Sequence, residues 1–137
     1  MDRTKLLARA REAMAMAVAP SSKFRVGAAL LCEDGTVFTG CNIESPTYLG
    51  ICAERVALFK ALSEGQRTFT AIGIVCGTNG ACSPCGACRQ LLWEFGPELE
   101  IILDDGQGGL VLRSITDYFP EPFDRNKLDP TRTPPLV

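Results

Sequence analysis

The chain has 137 residues, a length that suits a single domain with its own core, and it carries a net charge of −2 at pH 7. It contains seven cysteines and no histidine, which excludes a Ser-His-Asp triad, a Cys-His pair and any histidine-based metal site. The weakly acidic charge, without a basic run, argues against a nucleic-acid partner, and no stretch approaches the ~18 apolar residues of a membrane span.

The first residues and the cysteine count indicate a cytoplasmic protein rather than a secreted one. Arg9, Arg11 and Glu12 interrupt the apolar run that a signal peptide would need. Seven cysteines, an odd number, fit reduced thiols and metal binding better than a disulfide framework. We therefore expect a cytoplasmic enzyme.

The first third of the chain is predicted to form a helix followed by a hairpin. Apolar residues at helical spacing predict a helix over residues 2–18, stopped by Pro20. Two apolar runs on either side of an Asp34-Gly35 turn predict a β-hairpin over residues 24–41.

The rest of the chain is predicted to alternate helices with strands. The predicted helices cover residues 52–64, 85–95 and 115–118, and the predicted strands cover residues 69–76, 100–103 and 110–113. Gly65 suits the end of one helix and Pro84 the start of the next. The loop at 104–109 is too short for a parallel crossover, so the last two strands should be antiparallel. The tail from about Pro120 is rich in proline and is predicted to be extended.

This order of elements, α-β-β-α-β-α-β-β, predicts an α/β fold with helices on the faces of a sheet. Residues 52–55 and 84–89, which carry the most distinctive cysteines, both lie at predicted helix starts just beyond irregular segments. Proteins of the α/β class usually place their ligands at such points.

Two short motifs predict a catalytic zinc site. The first reads Cys-Ala-Glu-Arg at 52–55, and the second reads Pro-Cys-Gly-Ala-Cys-Arg at 84–89. Three thiolates from Cys52, Cys85 and Cys88 would leave one tetrahedral position open for a water molecule. Glu54, a carboxylate beside the metal but not bound to it, could carry the protons of a hydrolysis.

Other interpretations of the cysteines remain open at this point. Cys82 is three residues before Cys85, and a fourth sulfur would close the site and make it a structural, non-catalytic zinc module. The cysteines could also be buried structural thiols. Cys32, Cys41 and Cys76 lie in predicted strands and are expected to be small core residues.

Both motifs belong to a set of four ordered blocks, at 22–24 with 26–29, 40–44, 50–55 and 83–90. With these blocks the chain resembles the cytidine deaminase family, in its homotetrameric branch that acts on free nucleosides, from about Leu6 to Phe123. The resemblance implies a three-layer α-β-α fold with a mixed five-stranded sheet. It also implies zinc-dependent deamination of cytidine and deoxycytidine to uridine and deoxyuridine plus ammonia, in pyrimidine salvage.

The resemblance also implies a role for each matching residue. Cys52, Cys85 and Cys88 would hold one Zn²⁺ per chain, and Glu54 would move protons from water to ring N3 and to the leaving ammonia. Substrate contacts would come from Phe24 (stacking), Asn42 and Glu44 (ribose hydroxyl), the backbones of Ala53, Ser83 and Cys85 (base edge), and Tyr48 and Phe123 (the site of a neighbouring subunit). Arg55 would hydrogen-bond a zinc thiolate.

The chain departs from the family pattern at two places, and the second borders the predicted sugar contacts. Ser21 stands where the family usually has tyrosine, and Ser45-Pro46 stand where it usually has Asn-Ala. The second departure keeps open an alternative substrate, another free cytosine nucleoside such as blasticidin S. An enzyme acting on DNA or RNA is a weaker alternative, because the chain has no run of basic residues to bind a strand.

Overall fold

Five apolar strands and four helices make up the computed structural model, which describes residues 1–78, 80–128 and 131. The strands span Val26–Cys32 (β1), Val37–Cys41 (β2), Phe69–Cys76 (β3), Glu100–Asp104 (β4) and Leu110–Ser114 (β5). The helices span Arg3–Met14 (α1), Ala53–Ser63 (α2), Gly86–Phe95 (α3) and Ile115–Tyr118 (α4), and a 3-10 turn follows at Arg125–Lys127.

The strands form one mixed sheet in the order β2-β1-β3-β4-β5. Only β3 and β4 are parallel, since α3 lies between them in the chain and returns it to the same end of the sheet. The other three pairings are antiparallel, including β4 with β5 as predicted.

Helices cover both faces of this sheet, so the predicted three-layer α/β fold is confirmed. One core layer lies between the sheet and α1, and its buried residues are Leu6, Leu7, Ala10, Ala29, Leu31, Ala71, Val75 and Ile102. The other lies between the sheet and helices α2, α3 and α4, and includes Leu30, Ala57, Leu58, Ile72, Ile74, Leu92, Ile101, Leu103 and Ile115. The inner strands are therefore buried on both faces, as their continuous apolar runs suggest.

Gly40 sets the position of α2 over the sheet. A Cβ atom at this glycine would lie 2.4 Å from the carbonyl oxygen of Ala53 and 2.7 Å from the backbone nitrogen of Ala57. The first turn of α2 thus lies directly against the backbone of β2. Cys52, which immediately precedes this turn, is held at a fixed height above the sheet edge.

The first helix ends earlier than predicted, at Met14 instead of residue 18. Val18 has left the helix because its backbone pairs with the segment after β2. Its N–H donates to the carbonyl of Asn42 (3.0 Å) and its carbonyl accepts from the N–H of Glu44 (2.8 Å). Pro20 is therefore not the residue that ends the helix.

The tail also differs from the prediction in its described part. It is not wholly extended, because the 3-10 turn at Arg125–Lys127 interrupts it. The side chain of Gln90 on α3 donates to the carbonyl of Phe123 (2.8 Å), which ties the tail to that helix. Residues 129, 130 and 132–137 of the predicted tail lie outside the described residues. In the described chain, no helix is long and apolar enough to cross a membrane.

Candidate metal centre and active site

Three sulfur atoms meet where α2 and α3 begin. Cys52 and Cys85 are the N-cap residues of these two helices, and Cys88 lies in the first turn of α3. The Sγ atoms of Cys52 and Cys85 are 3.7 Å apart, and those of Cys85 and Cys88 are 3.3 Å apart. Within the described chain, these three residues are the one group of at least three metal-binding side chains whose ligand atoms lie within 4.8 Å of one another.

The spacing of the sulfurs fits a zinc ion. With Zn–S bonds of ~2.3 Å, tetrahedral geometry places two sulfurs ~3.8 Å apart. The 3.7 Å separation between the sulfurs of Cys52 and Cys85 agrees with that value, whereas the 3.3 Å separation between those of Cys85 and Cys88 is shorter. The donor set also fits, because thiolates are preferred zinc ligands and three of them leave a fourth position for a non-protein ligand.

Both helix starts favour negatively charged sulfur. Neither Cys52 nor Cys85 makes a side-chain capping bond to a described residue, so their sulfurs are free to turn toward a shared ion. The N-terminal ends of two helix dipoles point at the same place, and each favours an anion there. Hydrogen bonds from the Cys88 thiol and from Arg55 lower the pKa of Cys52 to about 5. The Arg55 guanidinium donates to the Cys52 sulfur at 3.3 Å, a contact of the kind that the resemblance implies.

Cys82 does not join the three sulfurs, so the structure gives no support for a closed four-sulfur site. Its sulfur is not among those that lie within 4.8 Å of one another, and burial together with a hydrogen bond with Cys76 raises the pKa of Cys82 to about 12. Cys32 is buried in the core as predicted, whereas Cys41 and Cys76 are only partly buried.

Glu54 is the one buried charged side chain among the described residues, with 4% of its surface exposed. It lies in the first turn of α2, directly after Ala53, and its burial raises the pKa of its carboxyl above the usual value. A buried carboxyl without a salt-bridge partner costs folding free energy. No salt bridge with a described residue compensates this cost, and the carboxyl lies beside the sulfurs, which indicates a chemical role.

A cleft of about 420 Å³ opens beside Cys52 and Arg55. Its other lining residues come mostly from the segment between β2 and α2: Ser21, Asn42, Ile43, Glu44, Ser45, Tyr48, Gly50 and Ile51. The structure thus brings five sequence-predicted residues together around one opening: Asn42, Glu44, Tyr48, Cys52 and Arg55. The cleft is large enough to receive a small molecule.

Glu44 is held in this cleft by backbone groups. Its Oε1 accepts hydrogen bonds from the N–H groups of Ser21 (2.9 Å) and Ser22 (3.1 Å). Hydrogen bonds from Ser22 and Ser21 hold the pKa of Glu44 below its usual value, so the carboxylate stays charged. Since backbone donors do not depend on the side chain, serine at position 21 supports Glu44 as well as a tyrosine would.

The side-chain amide of Asn42 forms hydrogen bonds with the backbone at both its nitrogen and its oxygen. Its Nδ2 donates to the carbonyl of Phe24 (2.7 Å), and its Oδ1 accepts from the N–H of Val26 (2.8 Å). An amide retains one further hydrogen and one further lone pair after these bonds. Asn42 therefore fixes the Phe24 segment and keeps the capacity for one sugar contact. Phe24 itself is 36% exposed.

Ser45 and Pro46 build a tight turn after Glu44. The N–H of Tyr48 donates to the carbonyl of Ser45 (3.1 Å), and the Ser45 and Thr47 hydroxyls are 2.7 Å apart. The turn leaves Tyr48 with a positive φ of 61° and its side chain 96% exposed. This departure from the family pattern therefore shapes the rim of the cleft.

The remaining predicted residues lie in different places. Ala53 is fully buried at the start of α2, and Ser83 is exposed in the loop before α3. Phe123 is 56% exposed and lies along α3, outside the residues that line the cleft. Its predicted contact with a site therefore has no counterpart within the single chain.

The residues that shape the cleft through their backbones could not be singled out from the sequence. Ile43 pairs with both Val18 and Ile51, which closes the segment into a loop. Gly50 allows this closure, because a Cβ atom there would lie 2.3 Å from the carbonyl of Ile43. A glycine beside two isolated apolar residues was the available signal, but such a pattern is also common in ordinary turns.

The comparisons with known proteins agree with this geometry. A family model described as the cytidine and deoxycytidylate deaminase zinc-binding region matches residues 1–103. The chain is 45% identical over 130 residues to a cytidine deaminase of Sporosarcina psychrophila, covering 93% of this chain and 96% of that protein. It is 31% identical over 116 residues to a blasticidin-S deaminase of Bacillus cereus, covering 77% of this chain and 81% of that one.

Solved structures show the same architecture. The crystal structure of a cytidine deaminase from Burkholderia pseudomallei superposes with a TM-score of 0.85 at 47% identity, covering 90% of this chain and all of that one. A cytidine deaminase structure from Mycobacterium tuberculosis superposes with a TM-score of 0.79 at 38% identity, covering 90% and 98% of the two chains.

A pair of cysteine variants tests which sulfurs hold the metal. Replacing Cys88 by serine should weaken zinc binding by more than the ~10–100-fold typical of losing an outer contact, because a direct ligand is lost. Replacing Cys82 by serine should leave the affinity unchanged. Competition with a chromophoric chelator measures both. Equal losses in the two variants would show that Cys82 is also a ligand.

Proposed function

The chain belongs to the cytidine and deoxycytidylate deaminase family, and we propose that it deaminates cytidine and deoxycytidine to uridine and deoxyuridine, releasing ammonia. It is thus an enzyme of a hydrolytic deaminase family. The observation that carries the substrate and mechanism is the buried Glu54 beside three converging sulfurs. A buried carboxyl next to an open metal position is suited to proton transfer during hydrolysis.

We infer that Cys52, Cys85 and Cys88 hold one zinc ion per chain. When bound, zinc lowers the pKa of a coordinated water to ~7 and so makes hydroxide available at neutral pH. Three thiolates with Zn²⁺ carry a net charge of −1, which opposes that effect. Arg55, through its bond to the Cys52 sulfur, and the N-termini of α2 and α3 draw negative charge back from the sulfurs.

Glu54 carries the protons of the reaction. The carboxylate accepts a proton from the attacking water and donates it to ring N3 of the pyrimidine. It then takes the second proton from the hydroxyl added at C4 and delivers it to the amine, so that the C4–N bond breaks, ammonia leaves and a carbonyl remains at C4. Burial raises its pKa toward the working pH, which suits a group that must both take up and release a proton.

The cleft residues orient the nucleoside. Glu44 has one oxygen held by Ser21 and Ser22 and the other available to accept a sugar hydroxyl. Asn42 adds one hydrogen bond, and Phe24 stacks on the ring. Backbone groups of Ala53, Ser83 and Cys85 contact the edge of the base.

We infer that residues 1–137 form one deaminase domain. Four copies of the chain assemble, and they share their sites between subunits. Large apolar side chains at the mouth of the cleft support this, since Tyr48 is 96% exposed and Leu49 84% exposed. Such residues seldom face water together in a monomer. Phe123, which no site within its own chain uses, would reach a neighbouring subunit. A role in pyrimidine salvage follows from the proposed substrates, and the odd number of cysteines supports a cytoplasmic location.

The alternative substrate is another free cytosine nucleoside. The similarity to a blasticidin-S deaminase and the Ser45-Pro46 turn at the rim of the cleft favour including it. The cytidine deaminases match over more of the chain and at higher identity, so cytidine remains the first choice. A structural zinc module is disfavoured because Cys82 lies outside the sulfur group.

A substrate panel tests this proposal directly. Zinc-loaded protein should convert cytidine and deoxycytidine with loss of the cytosine absorbance band and release of ammonia, at a higher kcat/KM than for blasticidin S. A higher kcat/KM for blasticidin S would select the alternative substrate. Absence of turnover on all three compounds would contradict the proposed activity.

Glu54→Gln isolates the proton-transfer role. The amide has the same shape but cannot accept a proton, so kcat should fall by at least ~10²–10⁴-fold while zinc content is unchanged. Glu64→Gln is the matched control, because the same change at the exposed C-cap of α2 should leave kcat as in the parent. Turnover by the Glu54 variant at the control's rate would remove this residue from the mechanism.

A further inference from the structure

Arg89 lies one residue after Cys88, and its side chain binds the segment that precedes α3. Its Nε donates to the carbonyl of Pro84 (2.7 Å) and its Nη2 to the hydroxyl of Ser83 (3.2 Å). Its Nη1 donates to the carbonyl of Tyr118 at the end of α4 (3.1 Å), and its Cζ lies 5.0 Å from the centroid of the Tyr118 ring. One guanidinium thus joins the loop before α3 to α4.

The loop has few other means of holding its shape. No backbone–backbone hydrogen bond joins residues 80–84 to another residue of the described chain. Pro84 has no N–H to donate, and its carbonyl lies outside the hydrogen-bond ladder of α3. Pro84 is nonetheless fully buried, so its carbonyl needs a partner within the protein. Arg89 is that partner.

The arrangement depends on arginine specifically. A guanidinium presents its donors in a rigid planar fork, and here three nitrogens reach three separate oxygens while the plane stacks on an aromatic ring. A lysine at this position would keep the positive charge but would offer a single nitrogen. It could not hold Ser83, Pro84 and α4 at once.

We propose that Arg89 is a positioning residue that fixes Ser83 and Cys85 for contact with the pyrimidine edge. This rests on the proposed function, in which backbone groups of these two residues bind the base. Arg89 is not one of the residues proposed to contact the substrate or the metal, and it acts through the loop that it holds. Because the base edge is bound both before and during the reaction, loosening the loop weakens both states, and the effect falls on KM rather than on kcat.

Arg89→Lys in the zinc-loaded protein tests the proposal, with Arg125→Lys as its matched control. Arg125 also stacks on a ring of α3, with Cζ 4.8 Å from the Phe95 centroid, and donates to the carbonyl of Glu94. It does so at the far end of the helix, away from the loop. Both variants therefore lose an arginine that stacks on an aromatic ring and donates to a backbone carbonyl, but only Arg89→Lys loses contacts with the loop.

The expected result is a KM for cytidine raised about tenfold in Arg89→Lys, the size of losing a hydrogen bond to a charged group, with kcat within about threefold of the parent. Arg125→Lys should keep both constants. Ser83→Ala, an exposed change that removes only the hydroxyl contact, should raise KM in the same direction by a smaller factor. An Arg89→Lys variant with the KM of the control would overturn the proposal. So would equal falls in kcat and zinc content without a change in KM.

A measurement without substrate separates this proposal from the proposed function. In ¹⁵N relaxation of deuterated, zinc-loaded protein, the amides of Ser83 and Cys85 should have order parameters of ~0.85 in the parent and the control, and below ~0.6 in Arg89→Lys. If the loop loosens in Arg89→Lys while the parent fails to deaminate any cytosine nucleoside, Arg89 does hold the loop but the proposed function is wrong. Unchanged order parameters in Arg89→Lys would show that Arg89 does not hold the loop, whatever the substrate is.

Discussion

The candidate site depends on two helices whose first residues meet. A helix start leaves backbone N–H groups unpaired and carries partial positive charge, so it favours an anion. Cys52 and Cys85 occupy the N-cap positions of α2 and α3, where sequences usually place serine, threonine or aspartate. Each helix thereby contributes a stabilised thiolate instead of a cap, and the two meet at 3.7 Å.

The fold produces this convergence by simple means. The parallel pairing of β3 with β4 requires a crossover, and α3 is the helix of that crossover, which begins at the sulfur site and leads back to the start of β4. The missing side chain of Gly40 lets α2 lie directly on β2, which sets the height of Cys52 and Glu54. The unfavourable burial of Glu54 is thus imposed by the packing of α2. The stability of the two core layers offsets its cost.

Local patterns predicted much of this architecture, because each element carries its own signal. The strands read as apolar runs, and the predicted helix at residues 85–95 begins within one residue of α3. The end of α1 was missed because Val18 pairs with a segment 24 residues later, between Asn42 and Glu44. A long-range pairing of that kind leaves no periodic trace in the sequence.

The sulfur group could be predicted because cysteine spacing and its chemistry are both visible in the motifs. The backbone hydrogen bonds that hold Glu44 and Asn42 could not be predicted, since any residue can supply a backbone donor.

The count of sulfur atoms around the metal tests the central claim most directly. Zinc K-edge X-ray absorption of the pure, reduced protein should show three sulfurs at ~2.3 Å and one lighter atom at ~2.0 Å. That result would establish an open position beside Glu54. A shell of four sulfurs would contradict the account, because no position would then remain for the reacting water.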